Sequence, residues 1–177
     1  MAGQRLTDKT ALAEQTGSGD LYMIVDVNDT TGSAAGTSKK LDSKYVIQTD
    51  KISVSNAEIL DLDNNEKALV GALSGYMITP ILATVLCTYA SGTESSRSNL
   101  QFGFDDSNNN AFAMRITSCM DSQTTDNTYH VGPANPSNTG SWTDSTINKP
   151  LVVWANSSFN GGWSCDIYIT YCYTKVL

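Results

Sequence analysis

The clearest pattern of apolar and polar positions lies between Ser164 and Thr174, where successive side chains alternate between two faces. One face carries Cys165, Ile167, Ile169, Tyr171 and Tyr173, and the other carries Ser164, Asp166, Tyr168, Thr170, Cys172 and Thr174. Alternation of this kind among β-branched and aromatic residues predicts a β-strand with one buried face. A second apolar run begins at Leu151, and the glycine pair Gly161-Gly162 separates the two runs. We therefore predict that they form a closing antiparallel hairpin.

Other short apolar runs alternate with clusters of Gly, Ser, Asn and Asp along most of the chain. These runs begin near Leu21, Lys39, Ile52, Ala57, Ala68, Tyr76, Leu100 and Ala111. About eight short strands at such spacing predict a mainly β protein with an antiparallel β-sandwich or jelly-roll domain. Pro80 interrupts the run that starts at Tyr76, which predicts an edge, a bulge or a break at that point. Residues 121–144 are predicted to form a long polar excursion.

The N-terminal segment has a weaker pattern than the rest of the chain. Its apolar run Leu21–Val27 precedes a Gly/Ser/Thr-rich loop and a weaker run, Lys39–Ile47. The pattern predicts a long-looped hairpin, or a strand followed by a short helix at Ser43–Gln48, and a further short helix is predicted at Thr7–Gln15. So small a unit buries little core by itself. We predict a docking segment at residues 1–50 and a β domain at 51–177, with the segment seated on that domain, on a sister chain or on a larger partner.

Composition and charge exclude several classes of protein. The net charge is −7, with 11 Lys and Arg against 18 Asp and Glu, and Lys39-Lys40 is the only adjacent basic pair. Nucleic-acid binding needs a clustered basic face, so no nucleic-acid partner is expected. The longest apolar run, Met77–Leu86, is far shorter than the roughly 18–20 residues of a membrane span. The N-terminus has no apolar signal sequence, so secretion is not expected either.

Candidate catalytic and metal-binding residues are few. The single histidine, His130, lies in the predicted polar excursion, and Asp105-Asp106 stand in a turn-like sequence. Asp61, Asp63 and Asn65 match the start of a calcium loop, but the required glycine and the terminal glutamate of that loop are missing. The four cysteines lack metal-ligand spacing and are predicted to be reduced thiols. We expect no enzymatic activity, no metal and no cofactor.

Aromatic residues near the predicted loops suggest one ligand site. Trp142 and Trp163, with Tyr129 and Phe159, form a candidate platform for a sugar or another amphipathic ligand. Trp154 lies within an apolar run and is predicted to belong to the core.

Two stretches of the chain resemble a known class of protein. Residues Gly19 to Leu41 read as an apolar strand, an aspartate, a Ser/Thr/Gly loop and then GTSKK, which resembles an N-terminal module of small tailed-bacteriophage virion proteins. The sequence NKPL at Asn148 to Leu151, the glycine pair and the strand Ile167 to Tyr171 are similar to the β domain of phage fibres and head-decoration proteins. Trp163 and the four cysteines depart from the commoner form.

The resemblance implies a structural virion protein, usually a homotrimer, that is made in the host cytoplasm. Its N-terminal segment would anchor on the major capsid protein or another virion protein, and the anchoring residues would be Tyr22, Ile24, Val25, Lys39 and Lys40. Tyr168, Tyr173 and Trp163 are the expected subunit-interface residues, because aromatic residues are favoured in interface cores.

The expected function is decoration or stabilisation of the head, or formation of a short head or collar fibre. The alternative is a tail-fibre receptor- or glycan-binding module that uses Trp142 and Trp163 on a host surface glycan.

Overall fold

The computed structural model describes residues 21–32, 34, 36–42, 45–104, 112–133 and 146–176. The chain divides into two compact units, 1–46 and 47–177. The helix predicted at 7–15, the pair Asp105-Asp106 and Trp142 lie outside the described residues. Within the described ranges, no helix has the length and apolar character needed to cross a bilayer.

The first unit contains an antiparallel hairpin of β1 (Leu21–Asp26) and β2 (Thr37–Asp42). The predicted hairpin is observed, and residues 43–44 of the alternative helix at Ser43–Gln48 lie outside the described residues. Gly36 has a φ of 113°, and a Cβ at this position would lie 2.8 Å from the Asp26 carbonyl oxygen. Glycine is therefore required at Gly36, where the loop joins the start of β2.

The second unit contains eight strands and one helix in its described residues. They are β3 (Gln48–Val54), α1 (Asn56–Asp61), β4 (Lys67–Val70), β5 (Tyr76–Ser91), β6 (Leu100–Gly103), β7 (Phe112–Ile116), β8 (Asn127–Val131), β9 (Leu151–Ala155) and β10 (Gly162–Lys175). A front sheet has the strand order β3-β10-β5-β8, and a back sheet has the order β4-β9-β6-β7. Both sheets are antiparallel, so the predicted β-sandwich is confirmed.

The strand pairs are nested in sequence. The outermost strands β3 and β10 pair with each other, as do β4 with β9, β5 with β8, and β6 with β7 at the centre. The paired ribbon then folds over so that β10 also joins β5 and β9 also joins β6. This is the strand order of a jelly roll.

The two sheets share one apolar core, and β10 has the alternation expected from its sequence. Ile167 and Ile169 are fully buried, whereas Asp166 and Tyr168 on the other face are half-buried. Fully buried side chains of the back sheet, including Phe102 and Val153, complete this core. The period-two pattern of β10 is therefore set by burial of one face only.

The central strands of the back sheet are buried on both faces. Phe102 and Val153 belong to the shared core, so their sequence neighbours Val152 and Trp154 point away from it. Both are nevertheless only 1% exposed. The prediction that Trp154 is buried is confirmed, and the uninterrupted apolar run of β9 is typical of a strand covered on two sides.

Three sequence-based predictions about elements are wrong. β9 and β10 do not form a hairpin, because β9 lies in the back sheet and β10 in the front sheet. The apolar run at Ala57–Leu62 is not a strand but overlaps α1, which buries Ile59 in the core. The excursion at 121–144 contains a strand, β8, which pairs with β5.

The prediction at Pro80 is confirmed. β5 continues through the proline, but the β5–β10 register shifts where Leu82 pairs with Thr170 and Pro80 pairs with Tyr171. This shift is a bulge. β8 pairs only with Ala83 to Cys87 of β5, so the proline lies where that second ladder is absent.

Candidate functional site

The N-terminal hairpin, β1 with β2, is the first candidate interaction surface. Its apolar side chains are exposed on both faces: Tyr22 and Ile24 lie on one face, at 36% and 39% exposure, and Met23 and Val25 lie on the other, at 62% and 58%. Val27, just after β1, is 69% exposed. Three of the predicted anchoring residues, Tyr22, Ile24 and Val25, therefore belong to an exposed apolar ribbon. Such a ribbon is marginally stable in water unless something covers it.

The two predicted anchoring lysines differ in their surroundings. Lys39 forms ion pairs with Asp26 at 2.8 Å and with Asp29 at 2.9 Å. The hydrogen bonds to Asp26 and then Asp29 raise the pKa of Lys39. The Thr31 hydroxyl and then Lys39 lower the pKa of Asp29 to about 2. Lys39 thus stabilises the loop of the hairpin, whereas Lys40 is exposed on the opposite face, beside Met23.

The second candidate surface is the outward side of the front sheet, which we call the front face. Its residues alternate with core residues along the four strands. They are Thr49, Lys51 and Ser53 of β3, Ser164, Asp166, Tyr168, Thr170 and Cys172 of β10, Leu82, Thr84, Leu86 and Thr88 of β5, and Thr128 and His130 of β8. Lys51 and Asp166 are the only Lys, Arg, Asp or Glu side chains in this set.

Polar groups of the front face are largely satisfied by one another. Lys51 Nζ lies 2.8 Å from Asp166 Oδ2, and the Ser53 hydroxyl donates to Asp166 Oδ1 at 2.6 Å. The hydrogen bond to Lys51 is the main reason why the pKa of Asp166 is lowered. The Thr49 and Thr170 hydroxyls are 2.9 Å apart. The charges of this face therefore cancel within the chain.

Apolar groups lie between these polar pairs. Leu82 and Leu86 are 38% and 39% exposed. Tyr168 pairs with Thr84, which lies between these leucines on β5, and its half-buried ring has the Lys51 ammonium 5.8 Å from its centroid. Of the predicted interface residues, Tyr168 is thus the one found on an open face of the sandwich.

A pocket of about 280 Å³ lies at one end of the front face. Its polar lining is supplied by Ser53, Ser55, Glu58, Thr88, Ser164 and Asp166. Lys67 pairs with Glu58 and, with the Ser55 groups, lowers the pKa of Glu58 to about 2. Because each carboxylate is already paired with a lysine, the pocket suits a neutral polyhydroxyl group better than a cation.

Trp163 is not where the sequence placed it. Its side chain is 1% exposed, packs edge-on against Phe159 with centroids 5.1 Å apart, and donates from Nε1 to Glu94 Oε2 at 3.2 Å. The predictions that Trp163 faces a sister chain or forms a ligand platform are therefore wrong. The reason is strand register: Trp163 falls on the same inward face of β10 as Cys165 and Ile167.

Tyr173 contacts its own chain. Its hydroxyl donates to the Gly71 carbonyl at 2.8 Å, and its ring packs edge-on against Tyr76 and Tyr171. Burial raises its pKa, and so does the nearby Asp50. These contacts place Tyr173 beside the core, outside the front face.

Glu94 is a buried site that the sequence reasoning missed. Its carboxylate is 2% exposed and accepts hydrogen bonds from the backbone N–H groups of Ser96, Asn160 and Gly161 and from Trp163. Burial alone raises its pKa, but the hydrogen bonds, led by those with Ser96, lower the pKa below its ordinary value. The carboxylate joins the loop after β5 to the loop before β10.

The remaining candidate residues form no catalytic group in the part of the chain that is described. His130 lies on β8 rather than in a loop, and its Nδ1 is 3.0 Å from the Thr84 hydroxyl. All four cysteines are free thiols, and Cys87, Cys119 and Cys165 are buried. The hydrogen bond with Cys87 and burial raise the pKa of Cys119, so this thiol stays protonated. No cluster suited to a metal ion occurs among the described residues.

Comparisons with known proteins add little. No family model matches the chain, and no curated protein matches it. Among solved structures, one similar chain is described as "Israeli acute paralysis virus heated to 63 degree - full particle", with 10% identity over 94% of each chain and a TM-score of 0.31. That TM-score is too low for the likeness to support an inference about fold or function.

Proposed function

We propose that this chain is a non-enzymatic structural protein of a tailed-phage virion, which decorates or stabilises the head or forms a short head or collar fibre. It acts as a homotrimer. The N-terminal hairpin anchors it to the major capsid protein or another virion protein, and this anchor attaches the β domain to the virion. The virion is its location, after synthesis in the host cytoplasm.

The observation that carries this proposal is the N-terminal hairpin. It has only two strands and exposes apolar side chains on both faces. Because Tyr22 and Met23 lie on opposite faces, the hairpin cannot bury both of them against itself. Burial of such side chains stabilises a complex by roughly 1.5–3 kcal/mol each. The hairpin is thus suited to insertion between other surfaces. Jelly rolls, the fold of the second unit, also occur in viral capsid proteins and in lectins.

A double substitution in the hairpin tests the anchor. Met23→Asp with Val25→Asp removes two exposed apolar groups from one face and should weaken binding to virions that lack this chain by tenfold or more, as roughly 1.4 kcal/mol corresponds to tenfold. Co-sedimentation of the purified full chain with such virions measures the binding.

Ser38→Asp is the matched control, because Ser38 is exposed and lies opposite Val25 on β2. It adds a carboxylate to the same ribbon without removing an apolar group, and binding should persist. Equal sedimentation of the double variant and the wild type, or no sedimentation of the wild type, would overturn the proposed anchor.

A receptor- or glycan-binding module is the second candidate, and the hydroxyl-lined pocket beside Asp166 favours it. With Trp163 buried, this pocket is the candidate sugar site among the described residues. A glycan array should then show binding that Thr88→Val and Ser164→Ala reduce by tenfold or more. An array without any bound glycan excludes this candidate.

A further inference from the structure

We propose that the front face is the surface on which copies of this chain pack against each other. This inference rests on the self-assembly proposed above and adds where the copies meet. The occupant of the face is a neighbouring copy of the same chain.

The two sheets differ in what they still expose. On the outward side of the back sheet, Val152 and Trp154 are each only 1% exposed. On the front face, Leu82 and Leu86 keep more than a third of their surface open, at 38% and 39%. Of the two outward sheet surfaces, the front face is therefore the one that gains from being covered.

The polar groups of the front face lower the cost of covering it. A buried polar group is costly when it has no hydrogen-bond partner, and a buried charge is costly when it is unpaired. Here Asp166 already holds both Lys51 and the Ser53 hydroxyl, and Thr84 already contacts His130. Removing water from this face leaves these pairs intact. The low number of charges, together with the ring of Tyr168, agrees with the core of an interface, where charged residues are depleted and aromatic residues are enriched.

The charge of the chain indicates a copy of itself as the partner. Each copy carries a net charge of −7, so two copies repel wherever their excess acids face each other. On the front face one cation and one anion cancel, and copies approach there without that repulsion. A strongly basic partner would find no excess of acid on this face.

The size of the face approaches what a stable interface requires. Four strands about 4.8 Å apart, with a mean paired length of roughly 30 Å, give a flat area of about 600 Å². Side-chain relief increases this value, and a stable interface needs about 800 Å² per partner.

The test compares two leucines of similar exposure. Leu86 is on the front face and Leu60 is on α1, 41% exposed. In the full-length protein, light scattering after size exclusion should give three times the chain mass of 19.0 kDa for the wild type and for Leu60→Glu. Leu86→Glu should dissociate to monomers, with the assembly weakened about 100-fold, as is typical when an interface hot spot is lost.

Cys172 gives an independent readout in the wild type. It lies on the front face and is half-buried, whereas the other three thiols are buried. Maleimide should label Cys172 slowly in the assembly and at least tenfold faster in Leu86→Glu or on dilution to the monomer. If Leu86→Glu does not fold, as circular dichroism would show, the wild-type dilution series decides.

The outcomes separate the two proposals. A trimeric wild type whose Leu86→Glu variant is also trimeric, or whose Cys172 labels at the monomer rate, overturns the front face as the interface and leaves the proposed function standing. A monomeric wild type at micromolar concentration overturns self-assembly itself.

Discussion

Glu94 shows how a single buried side chain fixes two loops. Its Oε2 atom accepts from the N–H groups of Asn160 and Gly161 and from the Trp163 indole, and its Oε1 accepts from Ser96. An ionised carboxylate only accepts hydrogen bonds, so four donors and one anion complement each other. A neutral amide in this position would point a donor group at other donors.

Replacing Glu94 with Gln should lower the free energy of unfolding at pH 7 by about 1–3 kcal/mol, the usual cost of breaking a buried hydrogen-bonded group. The folded pKa lies below the unfolded value of 4.5. The contribution is therefore full above pH 4.5 and is lost as the pH falls through the folded pKa. Urea unfolding at pH 7 and pH 3 measures the effect, and the difference in the free energy of unfolding between wild type and variant should be smaller at pH 3.

Lys175→Gln, which replaces an exposed charge by the same amide, serves as the control and should change stability by less than about 0.5 kcal/mol. A constant difference between wild type and Glu94→Gln at both pH values would contradict the role of the ionised carboxylate.

At the scale of single residues, the sequence predicted which side chains are buried better than it predicted which residues contact each other. The inward alternation of Ile167 and Ile169 followed from their own pattern. Nothing in the polar stretch around Glu94 distinguished it from a surface acid, because three of its four donors, on Asn160, Gly161 and Trp163, lie more than sixty residues away along the chain. Trp163 was misjudged because the register of β10 turns it inward, where it makes a long-range contact with Glu94.

At the scale of elements, the sequence of α1 contains a helix-capping motif, but the apolar residues after it favoured a strand. Ser55 caps the helix, its hydroxyl accepts from the Glu58 N–H, and the Glu58 carboxylate accepts from the Ser55 N–H. This capping box is readable in the sequence as Ser-x-x-Glu. The apolar residues after it satisfied a strand pattern equally well, because short runs carry too few periods to separate the two.

Ser55→Ala should destabilise the protein by about 0.5–2 kcal/mol, because the N-cap hydroxyl is lost and Ile59 is held in the core by this helix. Thermal unfolding of the variant measures the effect. Thr117→Ala, a change at an exposed turn residue, should leave stability nearly unaltered. Equal stabilities of Ser55→Ala and wild type would show that α1 is held by packing alone.

Two other elements escaped prediction because pairing is not a local property. The Gly161-Gly162 pair favoured a hairpin, yet Gly162 is needed because a Cβ there would lie 2.0 Å from the Ser91 carbonyl oxygen. The glycine thus serves the β5–β10 pairing and not a β9–β10 turn. β8 was hidden because only Tyr129 and Val131 carry its inward pattern within a polar stretch.

At the scale of the whole molecule, strand number and spacing were enough to predict the sandwich. They could not predict which strand enters which sheet, since that choice depends on contacts between distant parts of the chain. The candidate surfaces divide in the same way. The exposed apolar ribbon at Tyr22 to Val25 is readable from composition. The front face becomes visible only when β3, β10, β5 and β8 are placed side by side.

The nested pairing also determines the sequence in which the strand pairs form during folding. β6 and β7 meet after a short loop, from Gly103 to Phe112, whereas β3 meets β10 by joining Val54 to Cys165 across most of the domain. The entropy lost on closing a loop rises with its length, and folding slows as contacts become more distant in sequence. The lifetime of the folded protein therefore depends on how rarely the β3–β10 pairing opens, because re-forming this pairing is the slowest step of refolding.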